Sequence, residues 1–247
     1  MYSGRVRRAA IQLLDDGATL SQVSRVTGVS RSSLRDWVTA PAIGRDGECP
    51  RCGERQLDSA AYAGLLGFYL GDGSISRAAR TYALRISCDR KYPGIIDDVT
   101  ALLEAVHPAR PVFHVRAPGV IVVQSHWNHW PCLFPQHGAG RKHERELGMQ
   151  TWQWNLVAAN PADFLRGLFH SDGCRSRNWT RKLVEGEMKR YEYPRWHFTN
   201  DSVEIMRWCQ QALDLLGVLW RPSRSDMLSV SRREAVARLD ATIGLKT

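Results

Sequence analysis

Two nine-residue stretches, one hundred positions apart, constrain this chain more than any other feature. Residues 65–73 read LLGFYLGDG and residues 165–173 read LRGLFHSDG, with Leu, Gly and a closing Asp-Gly at the same places in both. Similarity at a fixed offset is the mark of an internal repeat. Each stretch follows a helix start: Asp58 for the first, and Asn160-Pro161-Ala162-Asp163, with Pro at the first helical position, for the second. The match continues downstream. YALRISCD (82–89) aligns with EYPRWHFT (192–199), and both alternate as strands do. Leu84, Ile86 and Cys88, or Trp196 and Phe198, form the inward set. Arg85 and Ser87, or Arg195, His197 and Thr199, face the other way. Helical stretches follow at 95–106 and 203–218, then hairpin-like pairs at 112–125 and 220–231. The expected fold class is α+β. Two tandem αββαββα units are related by a pseudo-twofold axis.

On a helix, Gly67 and Gly71 lie one turn apart on one face, as do Gly167 and Ser171. Small residues at that spacing let two helix backbones approach closely, so the two motif helices are expected to pack on each other as a seam. Each helix then ends at its aspartate, with Gly73 or Gly173 expected in the left-handed C-terminal position. Asp72 and Asp172 come side by side at one end of the seam. A carboxylate at a helix C-terminus is opposed by the macrodipole, and two together repel. A divalent cation such as Mg²⁺ removes both penalties, since it prefers carboxylate and carbonyl oxygens. The alternative is that Asp-Gly is merely a helix stop with a turn. Two copies in register argue against that.

The N-terminal part has a different grammar. RVRRAAIQLLDDG places Ala10, Ile11, Leu13 and Leu14 on one stripe and ends at Gly17. Thr19 and Gln22 form a capping box for a second helix, in which Val23 and Val26 point inward. Gly28 turns the chain and Ser30 caps a third helix, buried through Leu34, Trp37 and Val38. A short Gly-containing turn between the second and third helices is the helix-turn-helix pattern. Its third helix would carry Arg31, Ser32, Ser33 and Arg35 into a DNA major groove. A small bundle making protein contacts is the alternative. The expected organisation is a helix-turn-helix at 1–40, a linker at 41–57, a first repeat at 58–145 and a second at 146–247.

The linker holds Cys49-Pro-Arg-Cys52, a spacing that can grip zinc with two thiolates. A structural site wants four ligands, which His126, His129, Cys132, His137 or His143 could complete. The remaining cysteines are dispersed, and reduced thiols are expected.

The chain has 247 residues with 34 basic against 25 acidic side chains, a formal charge of +9. Only five of the 34 are lysine. Arginine forks phosphates and reaches base edges, although a GC-rich genome produces the same bias. The excess is spread along the chain, which favours nucleic acid held by folded surfaces rather than by a tail. No apolar run has membrane-spanning length and no signal-peptide pattern opens the chain, so membrane and secreted classes are not expected.

The paired LLGFYLGDG and LRGLFHSDG resemble the two signature motifs of single-chain LAGLIDADG homing endonucleases, over roughly residues 58–247. The second motif departs at His170 and Ser171, where the pattern has Asp and Ala. The resemblance implies a site-specific double-strand DNA endonuclease, a monomer, using Mg²⁺ or another divalent cation on a long asymmetric target. It implies Asp72 and Asp172 as catalytic, metal-binding acids and the carbonyls of Gly71 and Ser171 as further ligands. Gln124, Lys142 and Arg232 are candidates for groups near the scissile phosphates. The resemblance implies strands that form a concave DNA-binding saddle, whose readers would be Arg77, Arg80, Arg85 and Ser87, then Arg175, Arg177, Arg181, Arg195 and His197. Arg175 and Arg177, two apart, share one strand face. The segment HGAGRKHER (137–145), with Arg141 and Lys142, would touch phosphates. The second hairpin, longer than its counterpart, would reach further over one half-site. Transcription regulators and RNA maturases reuse this scaffold without cutting and are the alternatives. The expected setting is cytoplasmic, nucleoid-associated, in a bacterium or phage. The free-standing form is expected rather than an intein, since the ATIGLKT end lacks His-Asn.

Overall fold

A computed structural model describes residues 4–39, 49–53 and 55–247. The chain divides into two compact units, Met1–Leu57 and Asp58–Thr247. Most of the expected linker therefore lies outside the described residues.

The first unit contains helices α1 (Gly4–Asp15), α2 (Leu20–Thr27) and α3 (Arg31–Thr39). Thr19 and Gln22 close the capping box that the sequence predicts, and Gly28 ends α2 in the left-handed region at φ +69°. The Ser30 hydroxyl accepts the Ser33 N–H at 3.2 Å and starts α3. Ala10, Val23, Val29 and Leu34 form the core, with Leu13, Leu14, Leu20 and Trp37 packed around it. Val26 and Val38 do not join it. They are 76% and 59% exposed, because helices this short turn only one narrow face inward and both valines fall on its flank.

The second unit runs α4 (Ser59–Asp72), β1 (Gly73–Arg77), β2 (Tyr82–Asp89), α5 (Pro93–Val106), β3 (Val112–Ala117), β4 (Val120–His126) and α6 (Trp130–Leu133). It continues through α7 (Thr151–Ala159), α8 (Pro161–Asp172), β5 (Gly173–Val184), β6 (Glu187–Thr199), α9 (Val203–Leu215), β7 (Arg221–Arg224), β8 (Met227–Val230) and α10 (Arg233–Ile243). Two antiparallel four-stranded sheets result, in the orders β1-β2-β4-β3 and β5-β6-β8-β7. No described helix is long and apolar enough to cross a membrane.

Helix α4 is apolar all round, and ten successive residues, Ala61–Leu70, are buried. A helix of that kind must be covered on every side. It packs along α8 at a seam made of main chain: a Cβ on Gly67 would strike the Phe164 carbonyl, and one on Gly167 would strike the Gly64 carbonyl. Helix α7 was not legible in the sequence as a separate element. It supplies Gln153, fully buried, which donates to the Tyr62 hydroxyl at 2.7 Å and ties α7 to α4.

One backbone expectation is corrected. Gly73 and Gly173 are extended, at φ −93° and −90°, not left-handed. The chain passes straight from helix to strand, and glycine is required for space: a Cβ at either position would collide with Tyr69 or Phe169 of the preceding turn.

Candidate active site and nucleic-acid interface

Both motif helices end at their aspartates where the seam ends, and the Asp172 carboxylate feels the Asp72 charge. Asp172 sits partly buried and accepts a hydrogen bond from Asn200 Nδ2 at 2.7 Å. Loss of solvent and then the Asp72 charge raise its carboxyl to about 6. Asp72 is more exposed, yet the surrounding protein bulk also raises its carboxyl, with Lys142, Lys246 and the Ser171 hydroxyl pulling the other way.

Two lysines complete the arrangement. Lys142 Nζ donates to the carbonyls of Tyr69, Leu70 and Gly71, the last two at 2.9 Å, and so caps α4. Lys246 Nζ donates to the Ser171 carbonyl of α8 at 3.2 Å. The pairing with the acids is crossed. Asp172 Oδ2 lies 3.1 Å from where a Cβ on Gly71 would stand, beside the carbonyl that Lys142 bonds, and Asp72 accepts the hydroxyl of Ser171, whose carbonyl Lys246 bonds. Burial pulls the Lys142 ammonium down to about 8 against the attraction of both carboxylates. Two half-sites follow: Asp172 with the Gly71 carbonyl and Lys142, and Asp72 with the Ser171 carbonyl and Lys246. Sequence reasoning reached Lys142 but not Lys246 or Asn200. The signal for Lys246 was interval: Lys142 lies 70 positions after Asp72, and Lys246 lies 74 after Asp172.

The donors around this point are carboxylates and main-chain carbonyls, a set that suits a hard divalent ion. The carbonyls of Gly71 and Ser171 already accept one cationic ammonium each, so the cradle fits positive charge. A cavity of about 460 Å³ opens beside Asp172, walled by Gly138, Lys142, His143 and Arg145 from the inter-sheet segment and by Asn200 and Asp201. Arg141 also lines it.

Strand register sorts the expected DNA readers into two groups. Cross-strand partners share a face, and faces alternate along a strand. Arg85 and Ser87 are exposed on the face of the first sheet turned away from its helices, where Arg85 Nε donates to Gln124 at 3.1 Å. Arg195 and His197 lie on the corresponding face of the second sheet, alongside Lys182, Lys189, Tyr191 and Tyr193.

Arg77, Arg175, Arg177 and Arg181 are on the opposite faces. Arg77 stands across from Tyr82 in the set that includes Leu84 and Ile86, and Arg175 stands across from buried Trp196. Arg175 and Arg177 do share one strand face, but it is opposite that of Arg195 and His197, so the expectation that all of them read DNA from one surface is corrected. Arg175 makes a bidentate pair with Asp240 of α10, at 2.8 and 2.7 Å. Arg181 stacks on Trp179 at 5.6 Å. The reason is parity: Gly173 must pack inward, so every second residue after it lies on that same face, although Arg177, Trp179 and Arg181 are exposed there. Arg80 lies in the turn between β1 and β2, and Arg232 starts α10.

In the first unit Arg31, Ser32 and Arg35 are exposed on α3, as a groove-entering helix requires. Cys49 is buried, and its carbonyl accepts the N–H groups of Cys52 and Gly53, folding a tight turn. The Cys49 and Cys52 sulfurs lie within 4.8 Å of each other. In the second unit His129 Nδ1 and Cys132 Sγ are 3.6 Å apart. His126 and His137 are spent elsewhere, against Phe113 and the Phe134 carbonyl.

A family model described as a homeodomain-like domain matches residues 1–47. No curated protein matches the chain. Solved structures similar to it include I-DmoI in complex with DNA and Mn, at 13% identity, TM-score 0.47, over 76% of this chain and 98% of that one. The LAGLIDADG meganuclease I-AabMI bound to uncleaved DNA is similar at 12% identity and TM-score 0.46, over 75% and 85% of the two chains. The homing endonuclease I-WcaI bound to its DNA recognition sequence is similar at 12% identity and TM-score 0.44, over 85% and 91%.

Proposed function

We propose that this chain is a site-specific DNA endonuclease that hydrolyses phosphodiesters with a divalent cation, aided by an N-terminal helix-turn-helix. The observation that carries this reading is the crossed pair of half-sites, each with one carboxylate, one main-chain carbonyl and one lysine, at the shared end of α4 and α8. One such cluster would serve as a helix stop. Two, arranged reciprocally at one point, suit chemistry on two closely spaced phosphates. We read residues 58–247 as two copies of one half-domain, so a monomer carries both half-sites.

Asp72, Asp172 and the carbonyls of Gly71 and Ser171 would hold the cation. When bound, it supplies Lewis acidity and lowers the pKa of a water. The chain's own groups do the rest. Lys142 and Lys246 offer positive charge where a pentacovalent phosphate would gain negative charge. Asn200 holds the Asp172 carboxylate in one orientation. The open sheet faces, through Arg85, Ser87, Arg195 and His197, present donors to base edges and phosphates, and Arg141 adds to the phosphate contacts.

The test is incubation of the full chain with a randomised duplex library and Mg²⁺, followed by sequencing of the ends. Defined ends are expected. Protected but uncut fragments would instead identify a DNA-binding regulator. Deleting residues 1–40 should leave the cut positions unchanged while weakening binding and its salt dependence, as lost phosphate contacts require.

Metal uptake should depend on pH in a fixed direction. Asp172 titrates near 6, so below that pH a bound cation must displace a proton, and affinity falls by up to about tenfold per pH unit. The sign for stability is the reverse of the usual carboxylate case. A folded-state pKa above the unfolded value gives stability that is present at low pH and lost as pH rises through about 6. Added Mg²⁺ should therefore raise the melting temperature clearly at pH 7.5 and little at pH 5. An equal rise at both would remove Asp172 from the cation site.

A further inference from the structure

The two open sheet faces differ in chemistry, and the difference bears on the sequence of the duplex they would accept. Ser74 lines the cavity beside Asp172, and strand pairing carries its row across the first sheet through Arg85 and Gln124 to Phe113. A duplex reaching the two carboxylates would therefore lie along this row. The neighbouring row runs from Ser87 through Val122 to Val115. His114, between Phe113 and Val115, turns to the helix side and meets the Thr100 hydroxyl of α5 at 2.8 Å, so its two neighbours point the other way. Phe113 is 45% exposed and Val115 44%, with Val122 partly exposed across from Val115. The Phe113 ring stands edge-on to His126 of the same face, with 6.1 Å between ring centroids.

Among the described strand residues of this face, Arg85 is the one lysine or arginine, and Gln124 already holds its Nε. The second face instead carries Lys182, Lys189 and Arg195. An apolar side chain laid over a phosphate strips water from its oxygens and returns no partner. Laid over base edges in a major groove, it meets one apolar group among the ordinary bases, the C5-methyl of thymine. Cytosine presents only hydrogen at that carbon unless it is methylated. A face of this make-up, set against a duplex, gains most by burying methyls, and so gains it from bases rather than from backbone.

We propose that the first sheet selects C5-methylpyrimidines, with Phe113, Val115 and Val122 as the specificity-determining residues, so that one half of the target is marked by methyl groups and the other by hydrogen-bonding base edges. This rests on the DNA-binding part of the endonuclease reading. Thymine and 5-methylcytosine share the methyl, and the test separates them.

The experiment enriches sites from a randomised duplex library by binding to the full chain without Mg²⁺, using one library unmodified and one methylated at cytosine. Enrichment of thymine in one half of sites from the unmodified library identifies thymine as the source. Enrichment confined to the methylated library identifies 5-methylcytosine, and either result supports the inference. The methyls are then removed one half at a time, by replacing thymine with deoxyuridine or 5-methylcytosine with cytosine. Affinity should fall about fourfold for each methyl in contact, the value of one buried carbon, in that half, and by less than about twofold in the other. A chain carrying Val115→Ala and Val122→Ala should bind the methylated duplex more weakly and lose most of its response to methyl removal. Val115→Thr, which keeps the branched shape, serves if that variant fails to fold. Methyl removal without effect, an equal loss from both halves, or a dimer in sedimentation that the two alanines dissociate would overturn the inference. Enriched sites that stay uncut with Mg²⁺ or Mn²⁺ would overturn the endonuclease reading and leave this inference standing, whereas no enrichment at all would overturn both.

Discussion

Replacing Asp72 or Asp172 with asparagine is expected to reduce double-strand cleavage by about a thousandfold or more, with DNA affinity nearly unchanged. Asparagine keeps the shape and one oxygen but removes the charge on which a cation would sit. The same substitution ought not to destabilise the fold. Both carboxylates stand at helix C-termini, both are raised by loss of solvent, and Asp172 is raised further by its neighbour. Relief of that repulsion should leave the metal-free melting temperature unchanged or higher. Cleavage and binding are read from gel assays on one duplex, and stability from thermal unfolding. Cleavage by either variant at the parental rate would remove that acid from the mechanism.

The second large effect belongs to the seam. Gly67→Ala and Gly167→Ala should each cost more than about 2 kcal/mol, and Gly67→Leu more than about 4, enough to unfold the second unit. The neighbours that a Cβ would meet are the Phe164 carbonyl and the Leu168 N–H for Gly67, and the Gly64 carbonyl and the Phe68 N–H for Gly167. Main chain within a helix cannot step aside as a flexible side chain can. Gly148, whose added Cβ would meet nothing within 4 Å, provides the control, and Gly148→Ala should change stability by no more than about 0.5 kcal/mol. Urea unfolding compares the four variants. A Gly67→Ala variant as stable as Gly148→Ala would mean that the helices are not packed backbone to backbone.

How far the sequence could be read depended on how local each determinant was. The motif helices, the small-residue seam and the two acids were legible, because glycine spacing and Asp-Gly stops act within a few residues. The inward sets Leu84, Ile86 and Cys88, or Trp196 and Phe198, were legible from alternation. The faces of Arg77, Arg175, Arg177 and Arg181 follow strand parity, which their basic character conceals. Counting from inward-packed Gly73 and Gly173 would have placed them correctly. Lys246 was out of reach for a different reason. Its place at the site is set by the Arg166 bond to the Ile243 carbonyl and by the Gly94 N–H to the Thr247 carbonyl, across separations of 77 and 153 residues that no local pattern carries. Helix α7 was hidden because its sequence, TWQWNLVAA, has no amphipathic period, and its burial depends on Gln153 finding Tyr62.

The seam has a consequence for how such a molecule can change. Because its centre is written in backbone, it fixes the glycines of the two motif helices, and residues away from those helices can be rewritten in either half without loss of its grip on the other. The outcome is visible in one chain: glycine before one motif aspartate against serine before the other, and a twelve-residue β5 against a five-residue β1. A joint that tolerates such drift lets one arm acquire a new vocabulary while the other keeps the old. Grafting a foreign sheet onto one side alone thus becomes a practical route to new targets.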